Sequence, residues 1–320
     1  MRVRELKQLM TLTAKLTPSQ RDQLVAHLST DLALDEATAI VQGRMAQHPG
    51  CPKCHANHVV RNGQADGLQR YKCRACGVTF NALTGTPLAR LRYRDKWLEQ
   101  AHAMDEGLSV RKAAARMAVH RTTAFRWRHR FLALPREVKA NGLAGVAEAD
   151  ETYVLRSYKG QRRKLLTEQA RKPRHRGGKA AKRGLSAEQV PILVVRNRAG
   201  QTTDYVLEAP NKHCVAEVLQ PALADDAVLC TDGSGMLATV ASALGIEHHA
   251  VNTLRGEHIR GAWHIQNVNA YHSRFKQWMR RFNGVATSYL TNYLGWFRAL
   301  DRNAQSGAKT SSLLALAVGP

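Results

Sequence analysis

The chain has 320 residues, with 48 Lys and Arg against 25 Asp and Glu, a formal net charge of +23 and a pI near 10.3. Such an excess predicts a polyanionic partner, nucleic acid first and an anionic membrane surface second. No run of 18 apolar residues occurs and the opening MRVRELKQLMTLTAKL is charged throughout, so neither a spanning helix nor a secretory leader is expected. Four of the six cysteines form two close pairs, a pattern that suits a metal site in a reducing cytosol better than a disulfide framework.

Residues 1–47 read as helical. Thr17-Pro18 opens a helix well, because Thr caps and Pro is tolerated in the first turn. Leu24, Val25 and Leu28 give that helix an apolar stripe, and the segment is expected to serve as a packing or dimer-contact element. Residues 48–84 contain Cys51/Cys54 and Cys73/Cys76, two Cys-x-x-Cys pairs separated by 18 residues. Each pair presents two thiolates from a tight knuckle, and four thiolates complete a tetrahedral zinc shell, so a structural Zn2+ is expected. The alternating HVVRNG and QRYKCRACGVTF stretches suit the short strands of a zinc ribbon. His55 and His58 find no vacancy in a four-cysteine shell and are read as surface residues.

Residues 90–138 contain LSVRKAAARMAVHRTTAFRWRHRFL, which has the pattern of a helix-turn-helix. An alanine-rich helix meets a turn near Ala118-Val119-His120, and a second, basic helix follows. In that motif the second helix enters the major groove with its N-terminal residues at the base edges. Arg121, Thr122 and Arg126 are therefore the expected contacts to bases or phosphates. Trp127 and Phe131, four apart, are expected to pack inward.

From about residue 145 to 305 the pattern changes to strands followed by helices, the pattern of an α/β catalytic domain. AGVAEADETYVL reads as a strand end, with Asp150 following a strand-like stretch. QVPILVVRNRAGQTTDYVLEA reads as two strands around the turn Asn197-Arg198-Ala199-Gly200. AVLCTDGSG reads as a buried strand ending in a turn, and HIQNVNAYHSRFKQWMRRFNG as a helix. Residues 156–183 hold 12 Lys and Arg against the single acid Glu168. Too polar to fold alone, this insert is expected to order on a phosphate backbone. No role is assigned to the tail 306–320. Cys214 and Cys230 are read as buried thiols, and the pair His248-His249 is set aside because adjacent residues of a strand face opposite ways.

The ribbon CPKC…CRAC, the helix-turn-helix, DETYV with its basic insert, TDGSG and the HIQNVNAYHSRFKQWMRRFNG helix occur in an order that resembles the DDE-type transposases of bacterial insertion sequences, in the ISXO2-like branch with an N-terminal zinc ribbon. The resemblance implies an RNase H-like mixed-sheet core that cuts and joins DNA with Mg2+ or Mn2+. It places the first catalytic aspartate at Asp150, the second at Asp232 and the third position at Asn269, where most relatives carry glutamate. Thirty-six residues lie between Asp232 and Asn269. Lys276, seven residues beyond Asn269 and on the same helical face, matches a basic residue used on DNA. Arg280 and Arg281 extend the basic face of that helix. The implied partners are double-stranded DNA at element ends and target, and further copies of the chain in the DNA complex, a homodimer or larger. The implied location is the bacterial cytoplasm, associated with the nucleoid.

The chemistry of the site can be argued from the residues. Phosphodiester transfer needs charge stabilisation at the entering and leaving oxygens, which two divalent ions about 3.5–4 Å apart provide. Asp150 and Asp232 supply hard oxygen ligands, and Asn269 a neutral carbonyl oxygen, with His272 or Glu151 as candidates to compensate for the missing charge. Glu148 shares a strand face with Asp150 and is expected at the edge of the site, whereas Glu151 points away and is read as structural or solvated. Two other classes of function compete with this reading. One is a DNA-binding regulator with a degenerate catalytic domain, which the asparagine at position 269 favours. The other is a structure-selective nuclease on the same core, which the coupled ribbon and helix-turn-helix disfavour.

Overall fold

The computed structural model describes residues 2–161, 163, 167, 178–182, 186–207, 210–252, 256–307 and 311–319. The chain divides into two compact units, one of residues 1–106, 110–131 and 310–320, the other of residues 107–109 and 132–309. Most of the basic insert 156–183 lies outside the described residues.

The first unit opens with a helical hairpin, α1 (Val3–Thr13) and α2 (Pro18–Gln47). Thr17 caps α2 as expected. Its side chain accepts a hydrogen bond from the Gln20 amide while the Gln20 side chain accepts from the Thr17 amide, with Pro18 in the first turn. Strands β1 (Val59–Ala65), β2 (Leu68–Cys73) and β3 (Thr79–Asn81) form an antiparallel sheet in that order. Three helices follow, α3 (Trp97–Asp105), α4 (Val110–Arg116) and α5 (Arg121–Phe131). Trp127 and Phe131 are buried as their spacing predicts, and Phe131 meets Trp97 edge to face at 6.2 Å between ring centroids. The last helix, α10 (Ser311–Val318), belongs to this unit, where it packs against α2, α3 and α5 and buries Leu313, Leu314, Ala317 and Val318. A segment to which the sequence assigned no role thus completes the core of the helix-turn-helix.

The second unit is built on a five-stranded mixed sheet. Its strands are β4 (Val146–Leu155), β5 (Gln189–Asn197), β6 (Thr202–Val206), β7 (Val228–Thr231) and β8 (Glu247–Ala250), in the order β6-β5-β4-β7-β8. The β4–β5 and β5–β6 pairs are antiparallel, and β4–β7 and β7–β8 are parallel. An antiparallel meander followed by two parallel strands added beside the first is the RNase H-like arrangement. Among the described residues, this unit also contains the helices α6 (Lys212–Leu219), α7 (Gly235–Ala243), α8 (Gln266–Arg280) and α9 (Leu290–Ser306). Val215 and Leu219 of α6 and Leu237, Val240 and Ala241 of α7 join Ala147, Ala149, Leu193 and Leu229 in one buried cluster, so these helices cover one face of the sheet.

Helices α8 and α9 belong to the face that carries Glu148 and Asp150. An aromatic cluster of Phe275, Trp278, Phe282, Tyr293, Trp296 and Phe297 locks the two helices together, with Trp278 edge-on to Trp296 at 4.9 Å. Buried ion pairs fasten α9 to the sheet: Arg298 to Asp204 of β6 and Arg196 of β5 to Asp301. Arg298 also donates to the carbonyl oxygens of Val138 and Arg136, which satisfies more of its guanidinium. Gly295 sits directly against the backbone of Arg136, where a Cβ would not fit. Among the described residues no helix is long and apolar enough to cross a membrane.

Candidate metal centre and catalytic site

The zinc ribbon is built from two knuckles of equal design. In the first, the Cys51 amide donates to Ala56 O at 3.0 Å and the His55 amide to Cys51 O at 2.9 Å. In the second, the Cys73 amide donates to Val78 O at 3.0 Å and the Gly77 amide to Cys73 O at 3.0 Å. Each knuckle closes on a left-handed residue, His55 with φ +59° and Gly77 with φ +72°. His55 is thus the first knuckle's counterpart of Gly77, doing the same turn with a Cβ in place. The four Sγ atoms lie within 4.8 Å of one another, with Cys51–Cys76 at 3.7 Å and Cys54–Cys73 at 3.6 Å. Tetrahedral zinc at about 2.3 Å from each sulfur requires sulfurs about 3.8 Å apart, so the cluster has the dimensions of a structural zinc site.

On α5 the three predicted DNA contacts, Arg121, Thr122 and Arg126, are exposed. His120 caps this helix: its Nδ1 lies 2.9 Å from Thr122 Oγ1 and accepts from the Thr122 amide at 3.3 Å. Other cations of α5 are engaged by the protein itself. Arg128 is buried, and Arg130 is held by the carbonyl oxygens of Pro87 and Ala89.

Asp150 lies on β4 and Asp232 directly follows β7. These strands pair in parallel with Glu148 opposite Cys230, the last rung of the ladder. Asp150 and Asp232 are each two residues beyond that rung, so the same offset brings them level on neighbouring strands. Adjacent strands lie about 4.8 Å apart, close enough for two carboxylates to feel each other. Burial and the Asp150 charge both push Asp232 above the usual aspartate range. The Asp232 carboxylate also accepts from the Ser234 amide at 3.0 Å, which fixes its orientation in the turn.

Helix α8 brings the remaining candidates. His272 is buried, with Nδ1 3.5 Å from Asp150 Oδ2, and its Nε2 is enclosed without a hydrogen-bond partner. Partial burial of its ammonium pulls Lys276 below the usual lysine range, and the nearby Asp150 opposes that shift. Asn269 lies on the same face, three residues before His272, but it is exposed. The fold therefore brings Asp150, Asp232, His272 and Lys276 together, and Asn269, exposed like Lys276, lies on the same face of α8. Arg280 and Arg281 are both exposed at the end of α8, Arg281 lying 6.0 Å from the Trp278 ring centre. Arg274 of the same helix pairs with Asp301 of α9 at 2.9 Å.

The expectation for Glu148 needs correction. It does not line the edge of the site; it is fully buried. Its Oε2 accepts from the Val268 amide at 2.9 Å and its Oε1 from Asn267 Nδ2 at 2.9 Å. Val268 is the third residue of α8, a helix with no acid in its own first turn. Glu148 thus caps α8 from the neighbouring strand, satisfying an orphan amide and placing negative charge at the positive end of the helix. Arg198 Nη1 at 3.1 Å and His264 Nδ1 at 3.4 Å complete the pocket around Glu148. The sequence marks neither partner for this role: Arg198 reads there only as part of a turn. The available signal was the i, i+2 spacing of Glu148 and Asp150 on one strand face.

Glu151 faces the other way and is half-buried rather than solvated. Burial pushes it above the usual glutamate range against a 2.7 Å hydrogen bond donated by Tyr153, with Asp150 and Asp232 adding to the rise. His248 donates to or accepts from Thr231 Oγ1 at 2.8 Å, while His249 stacks on Trp263, so the pair is structural. Cys230 is buried as expected, and Cys214 is half-exposed.

Comparison with known proteins agrees with this architecture. Residues 142–298 match the family model of the ISXO2-like transposase domain, residues 49–77 the InsA N-terminal domain (a zinc ribbon) and residues 90–147 a homeodomain-like helix-turn-helix domain. The chain is 27% identical over 266 residues to an uncharacterized protein in transposable element ISH50 of Halobacterium salinarum, covering 82% of this chain and 88% of that protein. A solved pre-cleavage Mos1 transpososome aligns with 69% of this chain and 78% of its own at 11% identity and a TM-score of 0.28, too low to carry an argument.

Proposed function

Given that the chain carries an ISXO2-like transposase domain behind a zinc ribbon and a helix-turn-helix, we propose that it binds the ends of its own insertion sequence and catalyses metal-dependent cleavage and joining of DNA strands there. The observation that carries this reading is the convergence of Asp150 and Asp232 on neighbouring parallel strands, under the helix that brings His272 and Lys276.

The donor set fits a hard divalent cation. Two carboxylates held side by side and partly buried repel each other, and burial together with the Asp150 charge raises the pKa of Asp232. A pair of Mg2+ or Mn2+ ions bound there would stabilise charge on the attacking and leaving oxygens of an in-line displacement. Asp150 and Asp232 would hold such ions, and Asn269 would offer a neutral carbonyl oxygen. Lys276, seven residues along the same face, is placed to pair with a phosphate of the bound strand. Glu148 holds α8 against β4 and so sets the distance between the aspartates and the residues of that helix. Arg121, Thr122 and Arg126 give the helix-turn-helix its sequence-reading contacts.

The test is cleavage of end-labelled element-end DNA by the full chain with Mg2+ or Mn2+. Asp150→Ala and Asp232→Ala should abolish nicking and leave end binding intact. Normal metal-dependent nicking by either variant would sink the assignment. Asn269→Asp should change the metal dependence while Asn269→Leu impairs cleavage; equal behaviour of the two would place residue 269 outside the metal shell.

A further inference from the structure

The N-terminal hairpin is the part of the chain whose apolar side chains are least covered. Of the fourteen large hydrophobic side chains exposed among the described residues, nine fall between Val3 and Leu34. Helix α1 buries none of its residues, and the first buried residue of α2 is Ala37. The exposure is patterned. Val25, Leu28 and Leu32, 51–68% exposed, occupy i, i+3 and i+7 on one face of α2. Val3, Leu6 and Met10 repeat that spacing on α1, also exposed. Leu9, Leu12, Leu16 and Leu24 line the crevice inside the hairpin, so the α2 stripe is a second apolar surface. Two helices with so little buried surface have no core of their own.

The charges on the hairpin identify what covers it. In a chain of net charge +23, the run from Asp22 to Glu36 carries four acids and neither Lys nor Arg. Residues 2–15 carry Arg2, Arg4, Lys7 and Lys15 against the single acid Glu5. Among the described residues no ion pair joins the two sets. Asp31 and Asp35, one turn apart beside the apolar stripe, repel both DNA phosphate and an anionic membrane. One basic helix and one acidic helix on the same hairpin are what a two-fold interface needs, because each surface then finds its complement on an identical copy.

We propose that residues 1–36 form a self-pairing device: two hairpins from two copies of this chain associate into a four-helix bundle, α1 of each against α2 of the other. The bundle buries the Val25, Leu28 and Leu32 stripe at its centre and sets the cations of each α1 against the carboxylates of the opposite α2. The turn is built to hold this shape, since the Thr17–Gln20 capping box is joined by Arg21 Nη2 donating to Ala14 O at 2.9 Å. The pairing needs neither DNA nor the catalytic site, so it stands or falls separately from the transposase reading.

The experiment is light scattering on the full-length, zinc-loaded protein in DNA-free buffer at micromolar concentration. The wild type should have twice its 35.5 kDa chain mass. Leu28→Glu combined with Leu32→Glu should raise the dimer dissociation constant by at least about 100-fold, with zinc content unchanged as the check on folding. Two further variants test identity of the partner. Arg4→Glu with Lys7→Glu, and Asp31→Lys with Asp35→Lys, should each be monomeric alone and form a 1:1 dimer when mixed. A monomeric wild type, a dimeric Leu28→Glu/Leu32→Glu protein, charge variants that dimerise alone, or a mixture that stays monomeric would overturn the proposal. Wild-type protein that remains monomeric but sediments with phosphatidylglycerol vesicles would assign the stripe to a membrane surface and overturn it equally.

Discussion

Among the described residues, the four cysteines gather at the spacing of a zinc site and Asp150 lies beside Asp232, and these two groupings are assembled in opposite ways. The cysteine cluster comes from two knuckles of the same local design, each closed by hydrogen bonds that reach no further than five residues. The aspartate site comes from a strand, the turn after another strand and a distant helix, brought together by sheet register and by a buried carboxylate. A local site can be folded by its metal. A distributed site depends on the whole sheet being in register first, and its donors can be placed without being complete.

The largest expected effect tests the local half of this contrast. Stripping the zinc, or replacing Cys73 with Ser, should unfold the ribbon, since structural zinc contributes about 10–16 kcal/mol of apparent binding energy in small zinc modules. Circular dichroism with a chelator titration should show the loss, with end-DNA binding falling alongside it. The second unit should keep its fold. A ribbon that stays folded and binds DNA after complete zinc loss would break the comparison.

Next in size is the loss of Asp150 or Asp232, the two carboxylates proposed as catalytic. Asp150→Asn or Asp232→Asn should lower the cleavage rate by about three orders of magnitude or more, an effect of about 4 kcal/mol on the barrier. Without metal, the same variants should be more heat-resistant than the wild type, because a repelling charge has been removed. A variant that loses both cleavage and thermal stability would mean that the pair serves the fold rather than the chemistry.

This asymmetry also explains what could be read from the amino-acid order. Cys51, Cys54, Cys73 and Cys76 declare their role by spacing alone, and Thr17-Pro18 declares a helix start, because both rest on neighbours within a few residues. Trp127 and Phe131 are equally legible as an inward-facing pair. The β5 and β7 strands were visible as runs of β-branched and apolar residues and β4 only as a strand end, but their order in the sheet was not, and it is the order that sets Asp150 beside Asp232. Glu148 was misplaced for the same reason. Its partners Arg198, His264, Asn267 and Val268 are 50 to 120 residues away, and no local rule connects a strand glutamate with the first turn of α8. The exposure of Asn269 and the burial of His272 likewise depend on how α8 is rotated against the sheet. That rotation is fixed by the aromatic cluster and Glu148, and not by the helix's own periodicity.

Glu148→Ala sharpens this point and should cost about 3 kcal/mol in the second unit, because Arg198 is left without its buried partner and α8 without its cap. Cleavage should fall further than end binding, since α8 would no longer be held at a fixed position over the aspartates. Glu148→Gln, which can still accept from Val268, should recover part of the stability. Equal stability of the alanine variant and the wild type in a urea titration would remove Glu148 from the account.

The smallest effect lies in the helix-turn-helix and separates it from the zinc ribbon within the same unit. Burial, reinforced by the Arg128 charge, pulls His129 down to about 4. A base whose pKa is lowered by folding binds its proton more readily when unfolded. The stability it confers is therefore fully present above the ordinary histidine value of about 6.5 and is lost as the pH falls toward about 4. Cysteine protonation also releases zinc in acid, so the wild type alone cannot separate the two causes. His129→Gln can, because it removes the titrating group and leaves the ribbon untouched. The variant should lose less stability than the wild type between neutral pH and about pH 5, with zinc release following the same curve in both proteins. If the two proteins lose stability in parallel, acid acts on this unit through the cysteines alone, and the ribbon rather than α5 sets its lower pH limit.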